Sequence, residues 1–190
     1  MGTKGENNRA RIIEAADQLF YQRGYNQTSF SDIADITGIP RGNFYYYFKT
    51  KDDILAAVVE ARIRHYQEGL LECDNVSDNP RERLLAFVDQ MATNEDTVVA
   101  SGCPIGSLCA ELAKDTEALQ SKSREVFELL LDWVSRQFEE MGFADAENKA
   151  MDVLSRMQGV AVMASAFKDN AYLRRSIDDL KGWINALAQE

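Results

Sequence analysis

Apolar residues recur along this chain at intervals of three and four, and no segment of several residues alternates apolar with polar side chains. Intervals of three and four place side chains on one face of an α-helix, whereas alternation is typical of a half-buried strand. The final stretch shows the helical pattern clearly, with Leu173, Ile177, Leu180, Ile184 and Leu187 at heptad-like spacing. The sequence therefore predicts an all-α fold.

Short helices are predicted near the N-terminus, after a first helix over about 8–23. Ser29 and Asp32 form a capping pair that opens a short helix, and this helix stops at Gly38. A proline can occupy the first position of a helix at no cost, so it opens a further short helix over about 40–47. Two short helices joined by a turn are the arrangement of a helix-turn-helix unit.

A long helix is predicted to follow at once. Thr50 and Asp53 form a second capping pair, and the helical pattern then continues to about Leu71 without a flexible linker. We place a domain boundary inside this helix, which divides the chain into domains 1–55 and 56–190.

The most distinctive segment is the aromatic run from Phe44 to Phe48. Successive residues of a helix point about 100° apart, so these rings cannot all share one face. Phe44 and Phe48, four residues apart, are expected to pack inward, which leaves Tyr45, Tyr46 and Tyr47 for a partner. A tyrosine hydroxyl in such a position can donate to a phosphate of DNA.

Basic residues flank the aromatic run. Helix-turn-helix proteins use the first residues of their second helix to reach base edges in the major groove, which suits Arg41. Gly42 lets the helix approach the DNA closely, and Lys49 and Lys51 suit flanking phosphates. The overall charge is −10, but residues 1–51 carry +2 and the rest carry −12, so an acidic body follows a mildly basic head.

Many of these positions together resemble the N-terminal DNA-binding domain of TetR/AcrR-type repressors, over about residues 10–55. The residues that carry the resemblance are Ala15-Ala16, Leu19-Phe20, Gly24-Tyr25, Thr28-Ser29, Asp32-Ile33-Ala34, Gly38-Ile39-Pro40-Arg41-Gly42, Tyr45-Tyr46-Tyr47-Phe48 and Lys51. The resemblance implies a three-helix DNA-binding domain, joined by a long helix to a helical ligand-binding and dimerisation domain. It implies phosphate contacts by Thr28, Tyr46, Tyr47 and Lys51, and base-edge contacts by Arg41, Gly42, Asn43 and Tyr45. It also implies a homodimer made through the last two long helices, here expected over about 145–168 and 172–188.

The implied partners are double-stranded operator DNA and a small-molecule effector. One short helix reaches too few base edges for useful specificity, so we expect paired heads on a pseudo-palindromic duplex. Apolar side chains of the body are candidates for the effector pocket, although core packing is the alternative for each of them. They are Phe87, Met91, Cys103, Leu108, Phe127, Trp133, Met157 and Phe167. The acidic body has no arginine clamp for an anion, so an apolar effector, uncharged or cationic, is expected.

Cys103 supports a second interpretation. It lies between Gly102 and Pro104, near the start of a helix, where the helix dipole favours a thiolate. The Ser-Gly-Cys sequence looks like one found in some electrophile-sensing members of the family. Cys103 is thus either a packed side chain or the sensor of a redox- or electrophile-responsive repressor.

Other classes of function lack support in the sequence. It has no nucleophile elbow, no HExxH, no P-loop and no dinucleotide fingerprint, and its one histidine, His65, leaves few acid–base options. Three cysteines without a CxxC pair argue against a structural zinc, and we expect neither a metal nor a cofactor. A protein-interaction module with a degenerate head would lack Arg41 and the tyrosines, which are present. The sequence has no apolar run of about 20 residues and no signal-peptide pattern. We therefore expect a cytoplasmic protein that does not associate with a membrane.

Overall fold

The computed structural model describes residues 3–187, with side chains from residue 5 onward, and this part of the chain forms ten α-helices and no strand. The all-α prediction is confirmed. The helices are α1 (Thr3–Arg23), α2 (Phe30–Thr37), α3 (Arg41–Tyr47), α4 (Lys51–Asp74), α5 (Pro80–Thr93), α6 (Glu95–Ser101), α7 (Pro104–Leu112), α8 (Glu117–Glu140), α9 (Ala146–Phe167) and α10 (Asn170–Ala186).

The helix bounds differ from the predicted ones at several points. α1 begins five residues before the expected start near residue 8, and the short helix α6 was not among the predicted elements. Glu95 and Asp96 in the first turn of α6 favour its N-terminus through the helix dipole, and Gly102 ends it. α10 ends at Ala186, whereas the predicted end at residue 188 lies outside the described residues.

Local capping groups fix both ends of α2. Asp32 N donates to Ser29 Oγ at 3.3 Å, and Ser29 N donates to Asp32 Oδ2 at 2.8 Å, which is the predicted capping box. The Ser29 hydroxyl also donates to Asp32 Oδ2, and this bond, followed by the one from Ser29 N, lowers the pKa of the Asp32 carboxyl. Gly38 then ends α2 in the left-handed conformation, with φ 65°, and its N–H donates to Ala34 O. The chain therefore turns sharply between α2 and α3.

Two compact units make up the chain. The first unit extends to Arg64 and includes Ser107–Glu125, and the second unit consists of His65–Gly106 with the chain from Val126 onward. The first unit thus reaches beyond the boundary expected near residue 55. One contact in this part of the unit joins α4 to α1, because buried Arg62 donates through Nε to Oδ1 of the partly exposed Asp17 at 2.7 Å.

Each unit has its own apolar core. That of the first unit is built largely from α1 to α4 and contains Ile12, Leu19, Ile33, Phe44, Phe48, Ile54 and Leu55. That of the second unit contains Leu84, Phe87, Trp133, Val134, Phe138, Leu173 and Ile184. None of the helices within residues 3–187 combines the length and apolarity that crossing a bilayer requires.

Candidate nucleic-acid interface

In the α2-turn-α3 segment, one side of α3 packs inward through aromatic rings and the other side is polar and exposed. Phe44 is completely buried and Phe48 is 3% exposed, so both rings pack inward as predicted. The Phe44 ring meets the Phe30 ring edge to face, with 5.9 Å between centroids. This packing holds α3 firmly while its other side remains open to solvent.

The open side of α3 carries most of the predicted contact residues. Arg41, Gly42 and Asn43 are exposed in its first turn, and Tyr45 and Tyr46 are 55% and 79% exposed. A Cβ added at Gly42 would meet no atom within 4 Å, so the first turn has free space around its backbone. Large tyrosine rings left in water without a covering neighbour favour a partner surface.

Neighbouring side chains orient the tyrosines of this face. Tyr45 stacks on Phe30, with 6.0 Å between ring centroids and 17° between planes. Tyr47 is half-buried, and its Oη accepts from Asn8 Nδ2 at 3.3 Å, which leaves its own O–H to donate elsewhere. Lys49 is exposed, and its Nζ donates to Tyr45 O near the end of α3.

Thr28 and Lys51 differ from the expectation of simple phosphate contacts. Thr28 is 2% exposed, and its hydroxyl donates to Gly24 O at 2.8 Å. Lys51 Nζ donates to Tyr25 O at 2.9 Å and to Thr28 O at 3.2 Å, and lies 4.2 Å from the centroid of the Tyr25 ring. Both side chains therefore stabilise the α1–α2 turn, residues 24–28. Lys51 keeps one N–H beyond these two bonds, whereas the Thr28 hydroxyl has none.

Three groups that hold this region were not predicted. Glu111 of α7 accepts the main-chain N–H groups of Tyr25 and Asn26. The Tyr25 hydroxyl donates to the Asp52 carboxylate, and burial, followed by this hydrogen bond, raises the pKa of Tyr25 well above its usual range. Arg11 donates to Thr37 O at 2.5 Å, at the end of α2. No local pattern in the sequence indicates contacts that span 26 to 86 residues.

The candidate pocket residues are divided between the two units. Phe87 and Trp133 are buried in the second unit with 5.5 Å between ring centroids, and Trp133 Nε1 donates to Asp74 Oδ1 at 3.1 Å. Leu108 belongs to the first unit instead. Phe167 is the last residue of α9 and is 73% exposed, so it does not belong to the buried core of the second unit. The other four, Met91, Cys103, Phe127 and Met157, are half-buried or buried in the second unit.

An open groove in the second unit runs between α9 and α10. Its volume is about 350 Å³, and its walls include Arg156, Gly159 and Met163 of α9 and Tyr172 and Asp179 of α10. None of the predicted pocket residues lines it. Exposed apolar side chains continue along α9, among them Val162 at 61%.

Cys73 and Cys103 have different surroundings. Cys73 is buried, and burial, followed by the charges of Asp74 and Glu72, raises the pKa of its thiol to about 11. Cys103 is half-buried, and its Sγ accepts from Gly106 N at 3.5 Å and from Gln158 Nε2 at 3.4 Å. The residues described contain no group of three His, Cys, Asp or Glu side chains that could hold a metal ion.

Two family models match the chain. Residues 12–58 match the model of bacterial regulatory proteins of the tetR family, and residues 80–178 match that of the LmrA/YxaF-like transcriptional regulator C-terminal domain. The first match contains α2, α3 and the whole open face of α3. The second match covers more than half of the chain, which is enough to establish the family.

Relatives and solved structures agree with these matches. An HTH-type transcriptional regulator from the lacX 3' region of Lactococcus lactis is 27% identical over 92% of each chain. The HTH-type transcriptional regulator YxaF of Bacillus subtilis is 28% identical over 91% of this chain and 92% of its own. A TetR transcriptional regulator from Chloroflexus aurantiacus, solved as a crystal structure, shares the fold with a TM-score of 0.85 at 22% identity, over 97% of this chain and 98% of its own.

Proposed function

Because this chain belongs to the TetR family and is a ligand-responsive DNA-binding transcriptional regulator, we propose that it is a homodimeric repressor that binds a pseudo-palindromic operator through α3. Its family and relatives are transcriptional regulators rather than enzymes. The observation that carries the proposal is the open face of α3, where Arg41, Asn43 and Tyr46 stand exposed above a buried pair of phenylalanines. The proposal includes a cytoplasmic location, because a regulator that binds an operator must reach chromosomal DNA.

The proposed contacts divide by chemistry. Arg41, Asn43 and Tyr45 read base edges, since their polar groups lie in or near the first turn of α3, and Gly42 allows close approach. Tyr46, Tyr47 and Lys49 donate to phosphates, and Lys51 can add its remaining N–H. Thr28 acts indirectly, because its hydroxyl is already bonded to Gly24 O and instead stabilises the α1–α2 turn.

Paired substitutions test this division on a duplex selected from a random pool by the wild-type protein. Arg41→Ala is expected to weaken binding to the selected duplex by about 1 to 3 kcal/mol and to relax selectivity at one base pair. Lys49→Ala is expected to weaken binding to all duplexes and to reduce the salt slope by about one. Arg136→Ala, which replaces an exposed arginine of α8, is the matched control and is expected to leave both unchanged. Equal losses on selected and random DNA for Arg41→Ala would remove Arg41 from base readout.

We propose that the dimer contact is made by α9 and α10, because α9 carries the exposed apolar side chains of Met151, Val162 and Met163. Val162→Glu would place a charge in this interface, so it is expected to shift the protein to a monomer and to abolish operator binding. Leu71→Glu is the matched control, because Leu71 of α4 is 60% exposed and Val162 is 61% exposed. Sedimentation velocity measures both variants, and a dimer that survives Val162→Glu would move the interface elsewhere.

The effector is proposed to bind in the second unit near Phe87, Met91, Trp133 and Met157, and to be apolar, uncharged or cationic. Trp183→Phe leaves Trp133 as the single tryptophan, so its fluorescence reports on this region. A lipophilic cation such as tetraphenylphosphonium is expected to quench it, and citrate is expected to leave it unchanged. The reverse result would refute an apolar site.

A second candidate trigger is oxidation or alkylation of Cys103. It is favoured by the two N–H groups, from Gly106 and Gln158, that converge on its half-buried sulfur. In that case Cys103→Ser abolishes release by an electrophile such as N-ethylmaleimide and leaves operator affinity unchanged. Cys73→Ser is the control, because its thiol is buried and stays protonated. An unaltered response in Cys103→Ser would eliminate the thiol as trigger.

A further inference from the structure

The α1–α2 turn receives a carboxylate from α7, far along the chain. Glu111 Oε2 accepts the N–H of Tyr25 at 2.8 Å, and Glu111 Oε1 accepts the N–H of Asn26 at 2.7 Å. All three residues belong to the first unit. Hydrogen bonds to an ionised acceptor are shorter and stronger than neutral ones, and here one carboxylate uses both oxygens on consecutive main-chain donors.

The turn is shaped to seat this carboxylate. Gly24 has φ 92°, which side chains rarely adopt, and a Cβ added there would lie 3.0 Å from both oxygens of Glu111. The backbone of the turn thus approaches Glu111 at a glycine, the residue that tolerates both this φ and this close contact. A surface glutamate that met the turn by chance would not need a glycine at that point.

The turn also determines where α2 begins. Lys51 binds the carbonyls of Tyr25 and Thr28, and the next residue, Ser29, is the N-cap of α2. α2 in turn packs on α3 through Phe30 and Phe44. A displacement of the turn therefore changes the placement of α2 and of the face of α3 that binds DNA.

We propose that Glu111 is a positioning residue for DNA binding, which holds the α1–α2 turn in the DNA-competent arrangement until a shift of α7 withdraws its carboxylate. This inference rests on the proposed function and adds a regulatory contact to it. α7 extends from Pro104 to Leu112, so Glu111 lies in its last turn and moves with the helix. Hydrogen bonds weaken steeply beyond about 3.5 Å, so a shift of about 1 Å along α7 breaks both.

Glu111→Gln tests the contact with little change in size. A carboxamide has one acceptor oxygen, and its NH₂ group must face one of the two N–H donors, so at least one hydrogen bond is lost. We expect the affinity for the selected duplex to fall about tenfold, which corresponds to about 1.4 kcal/mol. Hydrogen exchange at the Tyr25 and Asn26 amides is expected to accelerate in the same variant. Glu117→Gln, which removes the same charge from an exposed position in α8 of the first unit, is expected to change neither.

A measurement on the wild-type protein covers the case in which Glu111→Gln folds poorly. If Glu111 holds the DNA-competent turn, reciprocal linkage requires the selected duplex to slow exchange at the Tyr25 and Asn26 amides. Three results would each overturn this inference and leave the proposed function intact. They are unchanged amide exchange on DNA binding, wild-type DNA affinity in folded Glu111→Gln, and an equal loss of DNA affinity in Glu117→Gln. If the wild-type protein enriches no duplex, the proposed function fails and the inference fails with it.

Discussion

Lys49 and Lys51 lie two residues apart, but the structure gives them different roles, and replacing each by methionine separates these roles. Lys51 Nζ makes two hydrogen bonds to carbonyls of the α1–α2 turn and lies over the Tyr25 ring. Lys49 is exposed and contacts one carbonyl, that of Tyr45. Methionine keeps most of the apolar stem and removes the charge in both variants.

The expected magnitudes follow from these contacts. Hydrogen bonds to a charged group contribute about 1.5 to 3 kcal/mol, and a cation over an aromatic ring adds about 0.5 to 1 kcal/mol. Because Lys51 is half-exposed, we expect Lys51→Met to lower the free energy of unfolding by about 2 kcal/mol. Lys49→Met removes a single exposed interaction near a helix C-terminus and should cost less than about 0.5 kcal/mol.

Thermal unfolding followed by circular dichroism measures the difference. At about 2 to 4 °C per kcal/mol for a chain of this size, Lys51→Met should lower the melting temperature by about 4 to 8 °C, and Lys49→Met by about 2 °C at most. Anisotropy with labelled duplex then measures DNA binding, which both variants should weaken. Equal melting temperatures for the two variants would refute a structural role for Lys51, whatever their DNA affinities.

Three further predictions test other parts of the structure by thermal unfolding or mass spectrometry. Gly38→Ala should lower the free energy of unfolding by about 1 kcal/mol because φ is 65° there. Gly42 lies in a helix with free space around its Cα, so Gly42→Ala should raise the free energy of unfolding by up to about 1 kcal/mol and yet weaken operator binding. The opposite order of stabilities would be inconsistent with the described backbone. Asp17→Asn should lower the free energy of unfolding by about 2 kcal/mol, because it removes the carboxylate from buried Arg62. Arg62→Met should lower it less, because the Asp17 carboxylate is 41% exposed and can be hydrated. A larger loss for Arg62→Met would contradict this asymmetry. Cys73 should resist iodoacetamide at pH 8, because a pKa of about 11 leaves about one thiol in a thousand ionised. The contribution of this protonated thiol to stability is full below about pH 9 and should be lost as the pH rises through about 11. Rapid labelling of Cys73 in the folded protein would contradict its burial.

Local chemistry made much of the fold predictable. The Ser29–Asp32 box and the glycine stop at Gly38 each depend on residues within four positions of one another, and the structure has both. The helix expected to start with the proline at residue 40 begins one residue later, at Arg41, and Pro40 is its N-cap. The burial of Phe44 and Phe48 follows in the same way from a four-residue spacing on one helix. Such features are legible because the atoms that decide them are neighbours in the chain.

Contacts between distant segments were not predictable. Glu111 binds an N–H 86 residues away, and nothing in its local sequence distinguishes it from other exposed glutamates. The inward direction of Lys51 likewise depends on carbonyls of the α1–α2 turn, which the sequence pattern does not place. For Phe167 the helical spacing indicated burial, but the residue is the last of α9 and is 73% exposed, because spacing alone does not show how far the packed part of a helix extends.

The charge of the first unit gives the α1–α2 turn a further physical role. Tyr25 is surrounded by the carboxylates of Asp52, Glu111 and Asp115, all of which act to raise its pKa, while the Lys51 ammonium lies over its ring. Hydrogen bonds from neutral N–H groups leave the charge of a carboxylate in place, so a phosphate brought near this cluster is repelled by each of these groups. The Lys51 ammonium lies over the Tyr25 ring and offsets part of that repulsion, while its two hydrogen bonds hold the turn. Lys51→Met is therefore expected to weaken DNA binding in two ways, because it removes a positive charge from an acidic cluster and also removes two bonds that fix the start of α2.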